Sequence, residues 1–226
     1  SNFAPFDREF NHKAEMITPT DPQNPSDVVE SMRQLATAMH NRDTHGHKYT
    51  NAPYITHPTK VAQMLESWGY SAAEMIDALI LATAWGHDLL EDTKATEDEI
   101  RNAAGVFGPR IVNCIKELTF KPGNASEEDR GRLKNHYLQN LSKSSWEIVV
   151  VKIADRLCNT LDFCASGDPW AVEYLNLGAP LFKRIDECKG SDRIRATLDA
   201  VRRKATELRD PCFPVKLTAG MLAGFR

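Results

Sequence analysis

The chain has 226 residues, of which 42% are hydrophobic and 26% are charged, and this composition excludes a disordered or collagen-like protein. Its 28 basic and 31 acidic residues give a formal net charge of −3, without the positive field of a general nucleic-acid binder. The five cysteines form no Cys-x-x-Cys pair, and the apolar stretches are too short to span a bilayer. We therefore expect a cytoplasmic protein with neither a nucleic-acid nor a membrane partner, and the oligomeric state stays open.

The sequence divides into one long domain and two short terminal segments. Residues 1–25 are polar, contain four prolines and predict an N-terminal arm, and residues 210–226 predict a C-terminal tail. Between them, residues 26–209 carry apolar residues at helical spacing, with no alternation of period two and no linker. The predicted fold is therefore all-α, a single helical bundle.

The first predicted helix begins at Asp27, with Ser26 as its N-cap. The loop after it is expected to be flexible and to contain three histidines, His40, His45 and His47. The second helix is predicted to begin at Pro58, because proline is favoured in a first turn, and to end at Gly69. His57 then lies immediately before the second helix.

A capping box of Ser71 and Glu74 predicts a third, strongly apolar helix that continues through His87 and Asp88. The remaining helices are predicted from capping boxes, prolines and apolar spacing, and they begin at Thr96, Pro109, Arg132, Ser144, Asp168 and Ser191. The helix after Ser144 opens with four β-branched residues that could form a strand. Its apolar spacing continues as far as Leu161, which favours a helix.

Four ionisable side chains cluster near the end of the third predicted helix. Glu91 lies four residues after His87, and Asp92 lies four residues after Asp88, so the four share neighbouring helical positions. Such a cluster is costly unless it binds a cation, but acidic groups at a helix end are often merely solvated. From these residues alone, both interpretations stay open.

Two isolated residues, His57 and Asp155, also suggest chemistry. His57 precedes a proline that restricts the backbone, although a single histidine of this kind is usually structural. Asp155 interrupts an otherwise apolar helix, where it either pairs with Lys152 or Arg156 or has a partner such as a metal ion.

These residues and their neighbours resemble a known family. The order His57, then His87 and Asp88, then Asp155 is similar to the spaced H…HD…D pattern of the HD phosphohydrolase superfamily. More narrowly, four collinear runs resemble the hydrolase domain of RelA/SpoT proteins: PYITHP at 53–58, HDLLEDT at 87–93, FG at 107–108 leading to ELT at 117–119, and VKIADRLCN at 151–159. The resemblance covers about residues 30–190 and implies an HD-domain helical bundle. Since the chain leaves no room for a synthetase domain, it is more similar to the single-domain alarmone hydrolases.

The resemblance implies a metal-dependent hydrolase that removes the 3′-diphosphate of (p)ppGpp, giving GDP or GTP and pyrophosphate. By position it implies one Mn²⁺ ion with four ligands, His57, His87, Asp88 and Asp155. A mixed set of nitrogen and oxygen ligands suits such an ion. It also implies that Glu91 and Asp92 orient or deprotonate the attacking water.

The same resemblance implies a set of substrate-binding residues, Lys48, Tyr49, Lys152, Arg156 and Asn159. The family has a basic pair where this chain has Lys48 and Tyr49, and an arginine where it has Leu161. These departures leave two alternatives open: an HD phosphohydrolase for another phosphorylated nucleotide or nucleotide cofactor, and a non-catalytic, metal-stabilised nucleotide sensor. Glu91 and Asp92 argue against the sensor, because a structural metal site needs only its ligands.

Overall fold

The computed structural model describes residues 24–44, 46 and 52–208, and every regular element within them is helical, which confirms the predicted all-α fold. In chain order the α-helices are α1 (Pro25–Asp43), α2 (Thr56–Ser67), α3 (Met75–Gly86), α4 (Leu89–Asp92), α5 (Glu97–Ala103), α6 (Gly108–Leu118), α7 (Glu127–Leu141), α8 (Trp146–Ser166), α9 (Ala171–Asn176), α10 (Ala179–Phe182) and α11 (Ser191–Glu207). Short 3-10 turns cover Gly105–Phe107 and Ile185–Glu187. The predicted arm and tail, 1–25 and 210–226, lie almost wholly outside the described residues, and the domain boundaries stay predictions.

Helix α8 forms the centre of the bundle. Most of its residues are buried, and α2, α3, α6, α9, α10 and α11 pack against it. The run from Ile148 to Val151 is almost fully buried, and each such aliphatic side chain stabilises the fold by about 1.5–3 kcal/mol. That burial outweighs the small helical cost of β-branched side chains, so the predicted helix is confirmed. No helix in the described ranges combines the length and the apolar character needed to cross a membrane.

Helix α3 is buried on nearly all sides, between α1, α2, α6 and α8. Its last residue, Gly86, allows two side chains to approach the backbone closely. A Cβ at this position would lie 2.6 Å from Ile115 Cδ1 and 2.7 Å from Met32 Cε. The end of α3 is therefore held tightly against α1 and α6, and the core positions the residues that follow, His87 and Asp88.

The predicted starts of α1 and α3 differ in detail from the structure. Asn24, not Ser26, is the N-cap of α1, and its side chain accepts a hydrogen bond from the Ser26 amide. The predicted capping box of Ser71 and Glu74 is not formed. The Ser71 amide instead donates to the buried carboxylate of Asp77, six residues along the chain, so Asp77 replaces Glu74 as its acceptor.

Two later helix starts also differ. Helix α8 begins after Ser145 rather than at Ser144, whose hydroxyl donates to Glu117 on α6. Helix α7 begins at Glu127, earlier than the predicted Arg132, because its polar first turn lacks the apolar spacing on which the prediction relied. The capping box predicted at the start of α5 is present, with both of its hydrogen bonds.

Gly190 is required by the close approach of its backbone to the end of α2. Its φ is +72°, and a Cβ there would lie 2.3 Å from the Trp68 carbonyl oxygen. We expect Gly190→Ala to lower the free energy of unfolding by about 2–4 kcal/mol, because a left-handed backbone and a steric conflict act together. Gly167 is the matched control, since its φ is +73° and nothing lies within 4 Å of its Cβ position. Gly167→Ala is expected to cost about 1 kcal/mol, and equal losses in chemical denaturation would contradict the steric explanation.

Candidate metal centre

His87 and Asp88 lie in the turn between α3 and α4, not within one continuous helix as predicted. Helix α3 ends at Gly86 and α4 begins at Leu89. Asp88 has φ −100° and ψ 0°, in the bridge region, which interrupts the regular helix. His87 is 1% exposed and the Asp88 side chain is 13% exposed, so the turn presents a buried imidazole beside a nearly buried carboxylate.

His57 and Asp155 are brought to this turn by α2 and α8. Helix α2 begins at Thr56, so His57 lies in its first turn rather than before it, as predicted from Pro58. Asp155 lies on α8, almost completely buried. Because α2 packs along α8, His57 Nε2 lies 3.1 Å from Asp155 Oδ1, although 98 positions separate the two residues.

The four predicted ligands converge on one point. His87 Nε2 lies 3.3 Å from His57 Nε2 and 3.1 Å from Asp88 Oδ2. The same nitrogen lies 3.8 Å from Asp155 Oδ1, and His57 Nε2 lies 3.7 Å from Asp88 Oδ2. Ligand atoms that each lie about 2.1 Å from a divalent ion are roughly 3–3.5 Å apart, so these spacings suit such an ion. His57, His87 and Asp88 alone already meet the spacing of a metal site.

The hydrogen bonding of His87 determines which of its nitrogens faces the centre with a lone pair. Nδ1 lies 2.7 Å from the Ala84 carbonyl oxygen, which can only accept, so Nδ1 carries a proton. In the neutral ring, the Nε2 lone pair then faces the oxygens of Asp88 and Asp155. These groups repel one another unless Nε2 is protonated or a cation lies among them, and a bound metal ion supplies such a charge. The donor set therefore fits a divalent ion, with the Nδ1 bond orienting the ring.

Lys152 and Asn159 hold the carboxylate of Asp155. Lys152 Nζ lies 2.8 Å from Oδ2, and Asn159 Nδ2 donates to Oδ1 at 2.6 Å. Burial raises the pKa of Asp155, but Lys152 and the histidines outweigh it and hold this pKa well below its usual range. The ion pair offered above as the alternative to a metal partner is thus present, but it occupies only one oxygen. The other oxygen faces His57, so both interpretations apply to the same side chain.

Glu91 and Asp92 lie beside the centre on α4, and both residues are exposed. Glu91 Oε2 accepts a hydrogen bond from the Phe120 amide at 2.8 Å. Asp92 Oδ2 is bonded to the Tyr54 hydroxyl, which also lies 2.8 Å from Asp88 Oδ2. Partial burial and the Asp88 charge raise the pKa of Asp92 to about 6, so this carboxylate is able to take up a proton close to neutral pH.

Tyr54 is a site residue that sequence reasoning missed, although its position in the run that carries His57 was an available signal. Its ring stacks on His40, with centroids 4.6 Å apart and an interplanar angle of 20°. His40 lies on α1 and not in the predicted loop; it is 1% exposed, and burial lowers its pKa to about 4. His40 therefore packs against Tyr54 from within the fold. His45 and His47 lie outside the described residues.

The predicted substrate-binding residues are placed differently from one another. Lys48 and Tyr49 lie outside the described residues, and Lys152 and Asn159 lie at the centre. Arg156 is 1% exposed, and its guanidinium donates to the Tyr174 carbonyl from two nitrogens, at 3.1 and 2.6 Å, and lies over the Tyr174 ring. Arg156 is adjacent to Asp155 on the helix, so its side chain faces a different direction from the Asp155 carboxylate. This placement gives no support to a substrate role for Arg156.

In the described residues, an all-helical bundle brings two histidines and two aspartates together in one candidate metal site. The model of one family, the HD domain, matches residues 26–184. The chain therefore belongs to the HD domain family, which confirms the predicted superfamily.

Several known proteins are similar to this chain. A guanosine-3′,5′-bis(diphosphate) 3′-pyrophosphohydrolase of Spiroplasma citri is 34% identical over 49% of this chain and 14% of its own length. The pyrophosphohydrolase MESH1 of Drosophila melanogaster is 30% identical over 49% of this chain and 55% of its own length. A solved structure of a metazoan SpoT orthologue that hydrolyses ppGpp covers 80% of this chain and 93% of its own, with a TM-score of 0.55 and 22% identity. The likeness to this solved structure supports the helical fold. The chain spans only 14% of the length of the Spiroplasma citri protein and 55% of the length of the Drosophila melanogaster protein.

Proposed function

We propose that this chain is a Mn²⁺-dependent hydrolase that removes the 3′-diphosphate of (p)ppGpp and yields GDP or GTP with pyrophosphate. The observation that carries the proposal is the convergence of four ligand side chains, His57, His87, Asp88 and Asp155, beside the paired carboxylates of α4. Relatives whose names state this activity support the choice of substrate. The four cysteines in the described part of the chain are free thiols, which supports a cytoplasmic location.

In this proposal the two histidines and two aspartates hold one divalent ion, and Mn²⁺ suits their mixed nitrogen and oxygen atoms. Such an ion supplies Lewis acidity at a phosphoryl oxygen and makes a water more acidic. Lys152 and Asn159 fix the orientation of the Asp155 carboxylate. Four residues are proposed to bind the nucleotide substrate: Lys48, Tyr49, Lys152 and Asn159.

Glu91 and Asp92 orient and deprotonate the water that attacks the phosphorus attached to ribose O3′. Glu91, held by the Phe120 amide, orients this water, and Asp92 accepts the proton that the water loses. The new P–O bond forms as the P–O3′ bond breaks, and O3′ takes up a proton, so that pyrophosphate and the nucleotide 3′-hydroxyl are the products. The Tyr54 hydroxyl positions Asp92 for this role.

A second candidate is hydrolysis of another phosphorylated nucleotide or nucleotide cofactor. It is favoured by the engagement of Arg156 with Tyr174 and by Leu161 at the position of the family arginine. Both features leave fewer cations for a guanosine nucleotide that carries diphosphates at two positions.

Substrate profiling of the purified, Mn²⁺-loaded protein tests the proposal. We expect release of pyrophosphate from ppGpp and pppGpp, loss of this activity after chelation with EDTA, and recovery when Mn²⁺ is added. If the protein hydrolyses other nucleotides but neither ppGpp nor pppGpp, the second candidate is favoured. Nucleotide binding without any turnover would identify a sensor instead.

A further inference from the structure

A wall of two aromatic rings and two ammonium groups lies beside the metal centre, formed by α7, α8 and the connection that precedes α7. The rings of Phe120 and Tyr137 have centroids 5.3 Å apart. Lys134 Nζ lies 4.4 Å from the Phe120 centroid and 5.5 Å from the Tyr137 centroid. Lys152 Nζ lies 5.7 Å from the Tyr137 centroid, so both ammonium groups share one ring.

Contacts at both ends join this aromatic wall to the centre. At one end, Lys152 pairs with Asp155, one of the proposed metal ligands. At the other end, the amide of Phe120 donates to the carboxylate of Glu91. Lys134 therefore lies over the ring of Phe120, and the backbone amide of the same residue holds the proposed catalytic carboxylate of Glu91.

Lys134 differs from Lys152 in its ion pairing. Within the described part of the chain, no carboxylate oxygen lies within 4.0 Å of Lys134 Nζ, and the residue is half-buried. Burial, together with the Lys152 charge, lowers the pKa of Lys134 to about 8. Contacts with aromatic rings offset only part of the cost of burying such a charge. A half-buried ammonium group without a carboxylate partner favours an anionic ligand.

We propose that Lys134 is a substrate-binding residue that holds a phosphate of the diphosphate group to be removed. This inference rests on the proposed phosphohydrolase function. It adds one cation to the proposed substrate contacts of a chain that has Leu161 in place of the family arginine. The rings of the aromatic wall contact the ammonium group itself through cation–π interactions, and its N–H groups can still donate to phosphate oxygens. Sequence reasoning missed Lys134, because a lysine on a largely polar helix is normally a solvated surface charge.

Three variants of the full chain, loaded with Mn²⁺, test this assignment. Lys134→Met removes the charge and keeps the stem, Lys134→Arg keeps the charge, and Lys143→Met removes an exposed lysine that lies beyond the end of α7. We expect Lys134→Met to raise KM for ppGpp by ~10-fold to ~100-fold, the effect of losing one charge-assisted hydrogen bond, with kcat changed less than about threefold. Lys134→Arg and Lys143→Met are expected to stay close to the wild type, and thermal unfolding with metal analysis confirms that each variant is folded and loaded.

A second readout is the pH dependence of KM. Lys134 loses its charge as the pH rises through about 8, so phosphate binding weakens above that pH. Arginine stays charged, so the ratio of the wild-type KM to that of Lys134→Arg is expected to rise above pH 8. The other charged or titratable groups that act on Lys134 are Glu91, Lys152, Asp155, Arg156 and Tyr137, and the ratio cancels their contributions, because both proteins retain them.

Calorimetric binding of inorganic pyrophosphate to the Mn²⁺-loaded proteins separates this inference from the proposed function. If the wild type binds pyrophosphate and Lys134→Met binds it about tenfold more weakly or worse, the Lys134 assignment stands even where ppGpp is not the substrate. Equal pyrophosphate affinity in the two proteins, or an unchanged KM, overturns the assignment and leaves the proposed function intact. If the wild type neither hydrolyses ppGpp nor binds pyrophosphate, both proposals fail.

Discussion

Asp155→Asn is expected to abolish metal binding and to lower hydrolysis by roughly 10³-fold or more, because an ion that supplies several kcal/mol of transition-state stabilisation is lost. The same change leaves Lys152, whose side chain is 6% exposed, without its counter-ion. An uncompensated buried charge costs about 3–5 kcal/mol, so we also expect a clear loss in the free energy of unfolding. Metal content and chemical denaturation measure the two effects separately.

The matched control for this prediction lies on the same helix. Asp162 is also buried on α8 and pairs with Lys60 at 2.6 Å, but it lies seven residues, about two helical turns, beyond Asp155. Asp162→Asn should keep its metal and its activity, and it should lose less stability, because Lys60 is 44% exposed and water can solvate it. In Asp155→Asn, a second change of Lys152→Met should recover stability without recovering the metal. Normal metal content in Asp155→Asn would remove Asp155 from the ligand set.

The paired substitution Glu91→Gln and Asp92→Asn is expected to lower kcat by about 10²-fold to 10⁴-fold, the usual contribution of general acid–base groups. Both residues are exposed on α4, so metal content and the free energy of unfolding should change little. Rapid-quench kinetics at saturating substrate, with metal analysis of the same sample, measures the effect on the chemical step.

Glu97 and Asp98 provide the control for this pair, because they are a second adjacent Glu–Asp pair, at the start of α5. Their conversion to Gln and Asn should leave kcat unchanged. Full activity in the Glu91 and Asp92 variant, with metal still bound, would show that another group deprotonates the water and that Asp92 has been assigned the wrong role.

Local patterns predicted most of the helices, because their signals lie within a few residues. The capping box at the start of α5 and the helical choice for the run at 148–151 are examples. Predictions failed where another side chain replaced the predicted hydrogen-bond partner. Asp77 takes the amide of Ser71, and Glu117 takes the hydroxyl of Ser144, so neither serine makes the predicted cap.

The site follows the same division. Four ligands and two carboxylates were predicted from the family resemblance, yet the continuous helix expected through His87 and Asp88 was wrong, since the backbone at Asp88, with φ −100° and ψ 0°, leaves the regular helix after Gly86. Arg156 shows a different effect of tertiary packing. Its motif position suggested substrate binding, whereas its guanidinium packs against α9 at Tyr174.

The amino-acid sequence by itself determined the helical class and the order of the motifs, because helix spacing and residue chemistry are encoded locally. The four proposed metal ligands came from the family resemblance. Only the tertiary structure decided which side chains meet. It brought residues 98 positions apart to within 3.1 Å, stacked Tyr54 on a buried histidine and placed the Lys134 ammonium group over the Phe120 ring. Those contacts depend on how helices pack against one another, and helix packing is a property of the whole core rather than of any one segment.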